Sequence, residues 1–141
     1  MKRIFAAALL GTLCLSGCDT LKSLKEERYG NHNDKGDSWI SDQTAPAEVN
    51  ISGNWRSRDW GNALITQSGN RLQGYIGDYA IKGVVSGRKA YIILKSGGWN
   101  YYSVILEPAG PDMLLGSYSK SMPFQRDASW DMRLERAGAA Y

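Results

Sequence analysis

From Ile51 onward the chain falls into short apolar runs separated by turn signals every 8–12 residues. That spacing predicts an all-β meander, sandwich or barrel. Ser68-Gly69-Asn70, Gly77-Asp78, Ser86-Gly87, Ser96-Gly97-Gly98 and Pro108-Ala109-Gly110-Pro111-Asp112 supply the turns, because Gly and Asn tolerate positive φ. Eight strands are expected, near 51–57, 62–68, 71–76, 79–85, 88–95, 99–107, 113–119 and 129–136. No stretch beyond residue 50 has helical periodicity, so the fold class read from the sequence is a small eight-stranded antiparallel up-and-down barrel.

Side chains alternate across a strand, so each run also names an inward face. Trp55, Leu64, Leu72, Ile81, Val85, Tyr91, Ile93, Leu114, Trp130, Met132 and Leu134 are the expected core, with Gly74, Gly83 and Gly116 at tight corners of the curling sheet. Trp55 and Trp130 are expected inside, and Trp60, beside Arg58 and Asp59 in a turn, outside.

The first 17 residues read as a leader: Lys2 and Arg3, then the apolar stretch Ile4–Leu15, too short to span a bilayer of roughly 30 Å. Leu15-Ser16-Gly17-Cys18 resembles the lipobox of bacterial lipoproteins. The resemblance implies cleavage before Cys18, a diacylglycerol on its thiol and an acylated amino group, palmitate among the chains. Cys14 leaves with the leader, so no disulfide chemistry remains. Loss of Lys2 and Arg3 lowers the formal charge from +3 to +1. Asp19 resembles the enteric-type signal that retains a lipoprotein in the inner membrane; other sorting rules would place it in the outer membrane.

Residues 18–50 read as a lipidated flexible tether preceding a barrel domain at 51–141. Leu21 to Tyr29 could make two helical turns, and the polar run Gly30–Ser38 is not expected to bury a core. Fully stretched, residues 19–50 would reach roughly 100 Å. They carry four Lys/Arg against seven Asp/Glu, whereas residues 51–141 carry 11 against 7. His32, the single histidine, is expected to be a solvated loop residue rather than a metal ligand.

Ile51-Ser52-Gly53-Asn54-Trp55, the Ser-Gly-Asn turn, Leu72-Gln73-Gly74-Tyr75 and the closing Trp130-x-Met132-x-Leu134 resemble avidin-like barrels, an architecture shared by lipocalin-like domains. The likeness covers roughly 51–136 and implies the meander alone. The biotin contacts do not carry over: Ser57 and Gly61 stand where Asn and Ser would be expected, and Ile76 replaces the Tyr. Ser86-Gly87-Arg88-Lys89-Ala90-Tyr91 is loosely similar to the inhibitory loop of membrane-bound lysozyme inhibitors, although that family's barrel cysteines are absent.

Catalytic patterns are scarce. Asp127 and Asp131 form the only close carboxylate pair of the domain, and surface solvation accounts for them. No phosphate loop, metal cluster or nucleophile elbow is present, so no enzyme activity, metal or cofactor is expected. Positive charge among aromatics is the distinguishing feature: Arg56, Arg58 and Trp60 near the first turn, Trp99, Tyr101 and Tyr102 opening the sixth strand, and Tyr118, Lys120 and Phe124 around the last loop. Such residues are enriched where surfaces meet partners. The expectation is a lipid-anchored, non-catalytic binding or accessory module on the periplasmic face, with an envelope protein or glycan as partner and no nucleic acid. An inhibitor of an envelope-acting hydrolase and a structural subunit of an envelope assembly are the alternatives.

Overall fold

The computed structural model describes residues 32–138. The leader, Cys18, Asp19 and the tether through residue 31 lie outside the described residues. Eight strands run in order: β1 (Gly53–Ser57), β2 (Gly61–Ser68), β3 (Arg71–Ile76), β4 (Tyr79–Ser86), β5 (Lys89–Ser96), β6 (Trp99–Pro108), β7 (Met113–Ser119) and β8 (Ser129–Arg136). Each lies within two residues of its expected span. Sequential neighbours pair antiparallel and β8 returns to β1, which closes the barrel.

Turn chemistry and close packing explain why the sheet curls. Gly69, Gly77, Gly87 and Gly97 all adopt positive φ at hairpin tips. At the inward Gly74 and Gly116 a Cβ would run into the carbonyls of Leu64 and Ile105 on the neighbouring strands. Only glycine lets these strands approach so closely.

The interior is filled by buried side chains, among them Trp55, Ile65, Ile76, Leu94, Leu106 and Leu134. The outward positions Arg56, Lys82, Arg133 and Glu135 are exposed and charged. This is the inverse of the apolar outer band that a membrane-spanning barrel presents. Among the described residues, no helix is long and apolar enough to cross a membrane.

Inward assignments in three strands, covering Leu64, Tyr91, Ile93 and Trp130, are corrected. In β2 the buried pair is Ala63 and Ile65, and Leu64 faces the other way. In β5 the interior takes Ala90, Ile92 and Leu94, while Ile93 and Tyr91 belong to a second apolar cluster with Ile40, Met122 and Trp39. Trp130 has the inward parity of Met132 and Leu134 but stands at the end of the barrel, 51% exposed.

The second cluster exists because the expected tether gives way to ordered structure well before residue 50. Residues 32–41 are helical (α1) and lie on the outside of β4, β5 and β6. At Gly36 the helix comes so near that a Cβ would sit 2.7 Å from Asn100 Nδ2 and 2.9 Å from Ile93 Cδ1. Asp37 pairs with Lys82 at 3.0 Å. His32 is no free loop residue: Nδ1 lies 2.7 Å from the Asn100 carbonyl oxygen and Nε2 3.2 Å from that of Lys120.

After α1 the chain reaches the end of the barrel that carries the β2–β3, β4–β5 and β6–β7 turns. Gly87 N–H donates to Pro46 O at 3.0 Å, Glu48 N–H donates to Gly87 O at 2.8 Å, and Ala45 N–H donates to Ser86 Oγ at 3.0 Å. Ala47 and Val49 pack against the core there, and Ile51 is buried.

Truncating Trp55 to Ala removes a large buried ring from this interior. The expected cost is about 3–5 kcal/mol, read as a lower urea midpoint with an unchanged slope.

Candidate functional site

In an up-and-down barrel, alternate turns share one end. The β1–β2, β3–β4 and β5–β6 turns and the β7–β8 loop therefore converge, and each brings an aromatic side chain with it. The ring of Trp60 is the hub: its centroid lies 5.7 Å from Tyr79, 5.2 Å from Tyr102 and 5.0 Å from Tyr118, in edge-to-face arrangements. Tyr79 and Tyr102 meet edge-on at 5.4 Å, and Tyr102 and Tyr118 at 5.8 Å. Edge contacts suit the ring quadrupoles and contribute about 0.5–1.5 kcal/mol each beyond burial.

On the outer side of this cluster, Trp130 stacks on Tyr118 with centroids 5.5 Å apart and planes 28° from parallel. The Lys120 ammonium stands 5.8 Å from the Trp130 ring centre, within cation–π range. One face of the indole is thus held against the barrel while half of the side chain remains in solvent. Tyr101 joins through Tyr79 at 6.1 Å and is also exposed.

The expected contact residues are distributed unevenly over this geometry. Trp60, Tyr118 and Lys120 meet in the cluster, Tyr101 borders it, and Trp99 begins β6 at the same end. Phe124 is half-buried in the β7–β8 loop. Arg56 and Arg58 instead line a flank groove of about 840 Å³ beside Asp59, Asp131 and Arg133, where β1 parts from β8. Their charge is therefore offset locally by acidic neighbours. Trp60 is not the exposed rim residue expected, because its side chain folds back over the barrel interior.

Tyr102, named with the sixth-strand aromatics, joins them, and Tyr79 and Trp130, which the expected contacts omit, complete the cluster. A legible signal existed: aromatics at 60, 79, 99, 101, 102, 118 and 130 flank alternate turns, which a meander gathers at one end. The Tyr79 hydroxyl is pushed above the ordinary value of 10.0, first by burial, then by its hydrogen bond with Tyr102, with the neighbouring tyrosines and Asp78 adding to the effect.

The Ser86–Gly87 turn, the segment resembling an inhibitory loop, lies at the opposite end and is tied to Ala45, Pro46 and Glu48. Among the described residues, no group of three or more His, Cys, Asp or Glu is placed to hold a metal ion. Comparison with known proteins returns no relative: no family model, curated protein or solved structure matches the chain.

Two outcomes follow from the cluster. Trp60→Ala is expected to cost about 2 kcal/mol or more, since it removes three ring contacts over the interior, and Trp130→Ala about 1 kcal/mol. Equal urea midpoints for the two variants would contradict the hub geometry. The fold also favours the neutral Tyr79 phenol, so its contribution is whole below about pH 10 and declines as pH rises through the folded-state value. Tyr79→Phe is expected to lessen the loss of stability as pH rises above about 10. An unchanged alkaline loss would remove Tyr79 from that role.

Proposed function

We propose that this chain is a lipid-anchored, non-catalytic contact module of the cell envelope, facing the periplasm, whose working surface is the aromatic end of its barrel. The observation that carries the reading is the half-exposed Trp130, braced by Tyr118 and Lys120 at the edge of a ring cluster. A large aromatic side chain held half in water is costly to display, and such side chains mark contact sites where they gather. The lipobox at Leu15–Cys18 supplies the anchor in this reading, and Asp19 favours the inner membrane.

Kinship of residues 51–136 with avidin-like or lipocalin-like barrels belongs to the proposal. It is supported by the meander order and the Ile51–Trp55 opening. The occupied interior favours contact at the end of the barrel over a ligand enclosed within it. The inhibitor alternative is weakened because the Ser86–Gly87 turn is engaged by the chain's own Ala45–Glu48 segment.

Cys18→Ser is expected to release the protein into the soluble periplasmic fraction. Membrane-bound wild-type protein whose Cys18 carries no acyl mass in mass spectrometry would reject the anchor.

A further inference from the structure

We propose that the aromatic end of the barrel rests on the lipid surface that holds the anchor. The proposal builds on the lipoprotein reading and names the partner of the same surface. It starts from where the chain enters the barrel. Besides the two contacts of the His32 ring, Asn33 Nδ2 donates to Gly98 O at 3.0 Å, and Asn100 N–H donates to Asn33 Oδ1 at 2.7 Å. Gly98 belongs to the β5–β6 turn and Lys120 opens the β7–β8 loop. The first described residues are therefore fastened at the aromatic end, and α1 runs from there toward the opposite one.

That entry point shortens the leash. Between Cys18 and His32 there are only 14 peptide steps. Whatever conformation they take, they span at most about 50 Å, and a flexible chain of that length averages roughly 20 Å. Residues 32–50 are part of the folded body and add nothing to this reach. The leash ends at the aromatic end, so this end has the shortest reach to the bilayer.

The chemistry of the surface agrees with such a partner. Four large hydrophobic side chains are exposed among the described residues: Tyr75, Tyr101, Leu115 and Trp130. Tyr75, Tyr101 and Trp130 lie close to the turns of this end. Amphipathic rings of this kind settle at the headgroup level of a membrane, with the apolar body inward and the polar tip wet. The turns here carry Arg58, Lys120 and Arg126 against Asp59, Asp78 and Asp127, so the charges cancel. Docking then depends on ring insertion and persists in high salt.

The test uses the full lipidated protein in vesicles of phosphatidylethanolamine and phosphatidylglycerol, with and without brominated acyl chains. Brominated chains are expected to quench tryptophan emission, and Trp130→Phe to remove the larger part of that loss. Trp39→Phe, on α1 beside Tyr91, is expected to leave it unchanged, and so is high salt. Anchored protein with no quenching, or with quenching that Trp130→Phe does not alter, would overturn the docking while sparing the anchor. Failure to stay with the vesicles would overturn both. An unquenched Trp130 that responds instead to a soluble N-acetylglucosamine oligomer would overturn the lipid assignment in favour of a glycan.

Discussion

The barrel depends on closing a short seam. β1 has five residues, and its ladder to β8 consists of two pairs, Trp55 with Arg136 and Arg56 with Glu135. Side chains reinforce what the ladder lacks. The Arg136 guanidinium lies 4.3 Å from the centre of the Trp55 ring, and the indole N–H donates to Ile51 O at 3.0 Å. Arg136 also donates to Ser52 O and Pro111 O and pairs with Asp112 at 3.3 Å. One side chain thereby joins the approach to β1, the end of β8 and the β6–β7 turn. Without closure, β1 and β8 would each present a row of unpaired backbone groups.

The same short seam shapes the aromatic end. β1 parts from β8 after Arg56, and the chain turns at Arg58–Trp60 before β2 begins. The Trp60 ring folds inward there and meets Tyr102 and Tyr118. Tyr118 in turn supports Trp130. The exposed indole thus stands at the outer margin of a packing arrangement that begins with the length of β1. At the other end, residues 45–51 seal the barrel through backbone bonds with Gly87 and bonds with the side-chain amide of Gln67.

The strand count, strand ends and turns were legible because each depends on local rules: two-residue alternation, and glycine where φ must be positive. The face assignment of β5 was not. Ala90-Tyr91-Ile92-Ile93-Leu94 is apolar on both sides, and alternation cannot choose between faces when both are covered. The covering element, α1, was itself hidden: it is mostly polar, and its attachment combines contacts of His32, Asn33 and Gly36 with just two large apolar side chains, Trp39 and Ile40, too few for a legible stripe. The Trp130 assignment failed differently. Its parity was right, but parity says which way a side chain points and not how far along the barrel it stands.

What the sequence determined by itself is therefore the meander: eight alternating runs, their turns, and an apolar interior around Trp55 and Leu134. What only the tertiary structure decided is which aromatics meet, where α1 lies and at which end the chain enters. Alternation and turn chemistry act between residues near in sequence, so they can be read along the chain. Trp60 against Tyr118, or His32 against Lys120, joins residues far apart in sequence, and only closure of the barrel brings them within bonding distance.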